Sequence, residues 1–538
     1  MSTLPFDFGN PYASTRLPLF ARNVVSTSHP AGAQAGLRML LAGGNAVDAA
    51  IAAAAAMTVV EPVSNGLGSD AFAIVWDGRQ LHGLNASGRA PAGWTPAYFE
   101  GRYGDQGTPP KRGIDSVTVP GAVASWAALS QRLGRLPFAD LMQPAIELAE
   151  RGYLVPPVVQ QKWAAAAAEL SPQAGFAQAF LPWGRAPRVG ELFEFKAAAR
   201  GLRAIAATGG EAFYRGEIAQ ALVAFSRQHG GQISLQDLAA YQPEWVTPIG
   251  KSYRGYTVHE IPPNGQGIAA LMALGMLERF DLAGLPVDSV DFQHLQIEAM
   301  KLAFADVYRH VAEPSTMQVT AAQLLDDAYL AERARLIDPR RAQDFQAGNP
   351  VKGGTIYLSA ADEQGMMVSF IQSNYMGFGS GCVEPNFGIS LQNRGHAFSL
   401  RPGPNQVAPG KRPFHTIIPA FLTKDGQPVM SFGVMGANMQ PQGHVQTLVR
   451  MIDQWQNPQA ACDAPRWRFN AGLEINVESG MPRPTIDALQ ARGHRVAVIN
   501  DSYQDFGAGQ FIWRAGDPAR EGYVAASDAR RDGQAVGF

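Results

Sequence analysis

The chain has 538 residues, 46% hydrophobic and 17% charged, enough apolar material for a large core and too little charge for a disordered chain. Lys plus Arg number 44 against 46 Asp plus Glu, a net charge of −2, which argues against a nucleic-acid binder or a polybasic membrane binder. The two cysteines, Cys382 and Cys462, can form neither a disulfide framework nor a CxxC zinc site.

The first 25 residues carry no basic stretch followed by a continuous apolar run, so no signal peptide is read and a soluble cytoplasmic protein is the expectation. Residues 31–42 and 46–60 predict two helices, split by Gly43-Gly44, with Asn45 as the cap of the second. The second is alanine-rich, carries Asp48 and is shorter than the ~20 residues a bilayer needs, so it reads as a buried helix. Residues 71–76 and 80–85 predict a hairpin about Asp77-Gly78. Residues 120–245 read as mostly helical, 246–265 as strand ending at the Asn264–Gly267 loop, and 289–312 and 319–337 as helices. Residues 340–354 are polar and turn-rich, the clearest linker in the chain. Beyond it strands dominate: a hairpin of 355–361 and 366–373, then 387–392, 416–422, 428–434, 474–477 and 494–499, with one helix from 441 to 452.

Familiar catalytic signatures are absent. GLGSDAF precedes a strand rather than a helix, the wrong order for a dinucleotide site. The ten histidines show no metal-ligand spacing; the nearest close pair, His294 and His310, is too far apart for one helix face. One residue stands out. Thr355 follows Gly353-Gly354 at the start of a strand, behind the linker. A Thr hydroxyl is a weak nucleophile without an adjacent base. If the chain is cut before Thr355, its new α-amino group, with a reference pKa of ~7.7–8.0, supplies that base.

Nine ordered segments then resemble the γ-glutamyltranspeptidase family, from about residue 23 to the C-terminus. They include AGGNAVDAAIAAAAAMTVVEPVSNGLGSDAF, ASGRAP, TVPGAVASW, IPPNGQG, HLQIEAMKLAFADVYRH, GTIYLSAADEQGMMVSFIQSNYMGFGSG, PGKRPFHTIIPAF, DAPRWRF and ASDARRDG. The resemblance implies an α+β fold of four αββα layers, of the N-terminal-nucleophile hydrolase type. It implies self-cleavage between Gly354 and Thr355 into a large segment (1–354) and a small one (355–538) that stay together as a heterodimer within one fold, able to dimerise further. Thr355 matches the nucleophile, and Ser373 the second hydroxyl, usually Thr. Gly436 and Ala437 match the glycine pair of the oxyanion hole, and Arg89 the arginine for the substrate carboxylate. No cofactor or metal is implied, and the partner is a small-molecule amide.

Departures from the family pattern narrow the expectation. Ala397 stands where transpeptidases carry the acidic residue for the glutamyl α-ammonium, with His396 before it. Tyr375 replaces the assisting Asn, and His415 and Thr416 replace the paired serines of the substrate site. The stretch from Phe398 to Lys411 is short, so the family's lid loop is expected to be largely missing. The carboxylate anchor is kept and the ammonium clamp lost, which resembles the branch holding cephalosporin (glutaryl) acylases and an oxamate amidohydrolase. Three readings stand: an autoprocessing amidohydrolase for a small carboxylate-bearing acyl group, a glutathione-cleaving transpeptidase, and an unprocessed binding protein.

Overall fold

A computed structural model describes residues 16–345, 354–500 and 506–538. Fourteen strands of the described residues build two stacked sheets. In chain order they are β1 (Leu19–Ala21), β2 (Val24–Thr27), β3 (Asp70–Trp76), β4 (Leu81–Ala86), β5 (Glu244–Val246), β6 (Ile249–Tyr253), β7 (Tyr256–Glu260), β8 (Gly354–Ala361), β9 (Met367–Tyr375), β10 (Ala420–Lys424), β11 (Gln427–Met435), β12 (Ala508–Arg514), β13 (Tyr523–Ser527) and β14 (Gln534–Gly537). The first sheet runs β1-β13-β12-β11-β10-β7-β6 and the second β14-β2-β8-β9-β3-β4-β5. All pairings within both are antiparallel. Each sheet mixes strands from before and after Thr355.

Between the sheets lie Phe72, Ile74, Tyr357, Ile371, Phe421 and Ile512. The Tyr357 hydroxyl bonds Ser359 Oγ (2.8 Å) and Ser369 Oγ (2.7 Å), and these serines donate across to the Ser431 and Phe432 carbonyls of β11, each at 3.3 Å. Opposite the Tyr357 ring sits Gly433, where a Cβ would fall 2.4 Å from Cε2, so close approach of the sheets requires glycine.

Helices cover both outer faces. On the second sheet pack α1 (Pro30–Leu41), α2 (Ala46–Val60) and α3 (Ala122–Leu133). On the first pack α4 (Ile268–Leu277), α5 (Val290–His310) and α6 (Met439–Ile452). The result is the four-layer αββα sandwich. Helix α2 shows why its sequence folds so. Asn45 Oδ1 accepts the N–H groups of Val47 and Asp48 at 3.0 Å, Asp48 returns a bond to Asn45 N at 2.9 Å, and all fifteen residues are buried. Asp362, in the β8–β9 turn, accepts from Ala46 N at 2.9 Å and so ties the hairpin that begins at Gly354 to this helix start.

Most expected elements lie within two or three residues of their predicted bounds, with informative exceptions. Residues 416–419 are not strand. Gln266 Nε2 takes the Thr416 carbonyl (2.6 Å) and Gln440 Oε1 takes the Ile418 N–H (2.9 Å), so side chains rather than a neighbouring strand satisfy this backbone. The expected strand 387–392 is reduced to Ile389–Ser390. The strand expected over 246–265 is instead a hairpin of Ile249–Tyr253 and Tyr256–Glu260, turned at Arg254 and Gly255, both at positive φ. Of the expected linker, 346–353 lie outside the described residues. Among the described residues no helix is long and apolar enough to cross a membrane.

Candidate active site

Thr355 is the second residue of β8 and is 1% exposed. The β8–β9 register steps from Gly354 opposite Tyr375 to Ile356 opposite Gln372, so Ser373 and Asn374 together face Thr355. Such a bulge re-aims side chains where a regular ladder could not. Thr355 Oγ1 lies 3.1 Å from Ser373 Oγ, and Ser373 Oγ accepts the Tyr375 N–H at 2.7 Å. Asn374 is held by Ser69 Oγ (2.8 Å) and by Ser390 Oγ (3.2 Å).

On its other side Ser373 pairs with Asp70 of β3. Asp70 is fully buried; it accepts from Gly88 N at 3.1 Å and meets His415 Nε2 at 3.0 Å. Ile417 N–H points at His415 Nδ1 (3.4 Å), so Nε2 carries the proton and donates to Asp70. Burial, with Arg394 and Arg412 nearby, holds His415 far below the ordinary imidazole range and therefore neutral. Burial pushes the Asp70 carboxyl up to about 7, against the pull of Arg394, whose Nε is 3.7 Å away. Arg394 Nη1 donates to Thr416 Oγ1 at 2.8 Å, and its guanidinium lies 4.2 Å from the centre of the Tyr375 ring. Tyr375, His415 and Thr416 thus converge on one buried Asp70–Arg394 pair beside Ser373.

Gly436 (φ +130°) and Ala437 (φ +52°) turn the chain from β11 into α6. An alanine in the left-handed region is strained by ~1 kcal/mol, a feature that clusters at functional sites. Gln266 Nε2 bonds the Ala437 carbonyl (2.9 Å) as well as that of Thr416, fastening this turn to the 415–418 stretch.

Arg89 lies elsewhere in the network and is about one-third exposed: its Nη1 donates to the Gly410 carbonyl at 3.0 Å and its Nη2 to Glu244 at 2.6 Å. Glu244 also takes Arg412 Nη1 at 2.8 Å. His396 is spent on the Pro109 carbonyl (2.7 Å), and the Ala397 carbonyl accepts from Asn405 (2.6 Å). Residues 398–411 close into a tight turn in which Val407 N–H bonds the Ser399 carbonyl at 2.9 Å.

Asp70, Arg394 and Gln266 are the residues the sequence reading passed over. Asp70 had a signal, a carboxylate opening the otherwise apolar run DAFAIVW; Arg394 had none beyond its neighbours. Histidine spacing also misled. His294 pairs not with His310 but with His494, ring nitrogen to ring nitrogen at 2.8 Å, with Glu298 beside them. Two hundred residues separate the pair in sequence, so no local spacing could show it. Lys301 Nζ sits 2.6 Å from Glu298 Oε1 and supplies the positive charge of that cluster.

The γ-glutamyltranspeptidase family model matches residues 32–538. The chain belongs to the γ-glutamyltranspeptidase family. Among its relatives, the glutathione hydrolase-like YwrD proenzyme of Bacillus subtilis is 36% identical, over 96% of this chain and 98% of that one. The oxamate amidohydrolase proenzyme of Klebsiella pneumoniae is 35% identical, over 95% and 97%. The crystal structure of a cephalosporin acylase from Bacillus halodurans superposes with a TM-score of 0.95 at 49% identity, covering 100% of this chain and 99% of that one. This γ-glutamyltranspeptidase-family chain is therefore an enzyme, a hydrolase of the N-terminal-nucleophile type.

Proposed function

We propose that the protein is an autoprocessing amidohydrolase that cleaves the amide of a small carboxylate-bearing acyl group, glutaryl- or oxamate-type, through an acyl ester on Thr355. The observation that carries this reading is the Thr355 hydroxyl 3.1 Å from Ser373 Oγ, on the residue directly after Gly354. In the precursor the hydroxyl attacks the Gly354 carbonyl carbon, the peptide C–N bond breaks, and water hydrolyses the resulting ester. That frees the Thr355 α-amino group and leaves segments 1–354 and 355–538, whose interleaved strands keep them one αββα unit.

In the mature enzyme the α-amino group takes the hydroxyl proton as Oγ attacks the substrate carbonyl. Peptide N–H groups of Gly436 and Ala437 receive the oxyanion. The amide C–N bond breaks, the proton passes to the leaving amine, and water hydrolyses the ester to release the acid. Ser373 orients the nucleophile. Arg89 meets an acyl carboxylate only by exchanging Glu244 for it.

Ala397 places no carboxylate where a glutamyl α-ammonium would need one, and His396 is committed to a backbone carbonyl. Losing a charge-assisted hydrogen bond costs ~1.5–3 kcal/mol, roughly ten- to a hundredfold in kcat/KM. Names among the relatives support this choice: one is an oxamate amidohydrolase and one a cephalosporin acylase. The test is steady-state kinetics on the processed enzyme with a matched pair of glutaryl and γ-glutamyl anilides, and with oxamate. The glutaryl compound or oxamate should be preferred; a tenfold or greater γ-glutamyl preference makes the protein a glutathione-type hydrolase instead.

A further inference from the structure

Among the groups clustered around Ser373 and Asp70, two arginines are left half-bonded, Arg412, whose Nη1 is spent on Glu244, and Arg394, which touches Tyr375. Arg394 is fully buried, yet its Nε and Nη2 have no hydrogen-bond partner among the described residues. Those two nitrogens form one edge of the guanidinium, the edge that grips a carboxylate side-on. The same molecule shows that edge at work: Arg530 Nε and Nη2 take the two oxygens of Glu478 at 2.7 and 2.6 Å. In Arg394 only Nη1 is spent, on Thr416. Asp70 stands 3.7 Å from Nε, beyond hydrogen-bond reach, and is already engaged by His415 and Gly88. A guanidinium buried with an empty fork is costly unless an anion completes it.

Its position ties it to the nucleophile. Thr355 Oγ1 meets Ser373 Oγ, Ser373 Oγ holds the Tyr375 N–H, and the Tyr375 ring carries the Arg394 guanidinium. We propose that Arg394 is the specificity-determining residue of this site: its Nε/Nη2 fork binds the distal carboxylate of the acyl group, with Tyr375 beneath and Thr416 fixing the far nitrogen. Two consequences follow. The acyl group must be a dicarboxylic monoamide, and an acyl group bearing an ammonium at that end is repelled by a cation as well as lacking an acid. Burial draws the Arg394 guanidinium down only to about 10, so it remains charged at neutral pH. Arg89, already paired with Glu244, is then a rim residue rather than the main anchor.

This inference rests on the amidohydrolase reading for its substrate but not for its ligand, so binding and turnover are measured separately. Calorimetry on the processed wild-type enzyme compares glutarate with valerate, which lacks the distal carboxylate. Glutarate should bind at least tenfold more tightly, and Arg394→Gln should lose at least tenfold of that affinity, with Arg394→Lys intermediate. The glutaryl-over-valeryl anilide ratio of kcat/KM should fall at least tenfold in Arg394→Gln. An unchanged ratio in Arg394→Gln, or its loss only in Arg89→Gln, overturns the proposal. If Arg394→Gln fails to fold, equal affinity of the wild type for glutarate and valerate overturns it. Glutarate binding that depends on Arg394 without cleavage of any amide upholds this proposal and rejects the amidohydrolase reading.

Discussion

Asp528 and Asp70 are both fully buried beside arginines, but their surroundings differ. Asp528 accepts from the peptide N–H groups of Gly509 and Arg530 at 2.8 Å, from Arg466 Nη2 at 2.8 Å and from Arg530 Nη1 at 3.1 Å. Arg530 and Arg466, with the peptide bonds, hold its carboxyl far below the usual range despite burial. Asp70 has the peptide N–H groups of Gly88 and Gly121, one neutral imidazole and an arginine just out of reach, and burial lifts it to about 7. The first cluster satisfies its acid and clamps the segments around 466, 478 and 528 together. The second is left incomplete beside Ser373, the condition in which a buried polar network is unstable by itself and available to a ligand.

Removing the acid from each cluster separates the two roles. Asp528→Ala leaves two buried guanidinium groups without their shared partner and should cost about 3–5 kcal/mol of stability in urea unfolding. A loss below ~1 kcal/mol would mean that the knot is not structural. Asp70→Asn keeps the shape and should cost less than ~2 kcal/mol while lowering kcat/KM at least about tenfold. If stability rather than activity bears the loss, the distinction between the clusters fails.

The pH dependence of the two should have opposite signs. Asp70 has a raised pKa in the fold, so its contribution to stability is fully present below ~4, near the unfolded value, and is lost as pH rises through about 7. Asp528 has a depressed pKa, so its contribution is present above ~4 and is lost as pH falls below that. Urea midpoints against pH should flatten between ~4 and ~7 in Asp70→Asn, and only on the acid side in Asp528→Asn. The same profile for both variants would remove the contrast.

Ala397→Asp restores an acid at the position where transpeptidases carry one and should move the γ-glutamyl to glutaryl ratio of kcat/KM towards γ-glutamyl by about tenfold. No movement would place the ammonium position elsewhere. The smallest effect expected is for Ala437→Gly, which releases a left-handed alanine and should stabilise the protein by no more than ~1 kcal/mol in urea unfolding. Clear destabilisation would mean that the methyl group packs against something the turn needs.

How much the sequence disclosed follows the range of each interaction. Helix α2 was legible because its cap, Asn45, and its stop lie within its own few residues, and the β8–β9 hairpin because its turn acid, Asp362, and Gly365 are local. Thr355 and Ser373 were legible from ordered motifs, though not the bulge that brings them together, since register depends on both strands. The stretch 416–419 has strand-like composition, yet Gln266, 150 residues away, takes the Thr416 carbonyl. Arg394 was invisible for the same reason: its meaning lies in Asp70 and Thr416, which chain order keeps far apart.

Self-cleavage as proposed makes Thr355 the N-terminus of the small segment. Intact-mass and N-terminal analysis of the purified protein, beside Thr355→Ala, tests it most directly. The wild type should give two fragments, the smaller beginning at Thr355, and Thr355→Ala one uncut chain. A wild-type fragment beginning at any other residue, or cleavage that persists in Thr355→Ala, would contradict it.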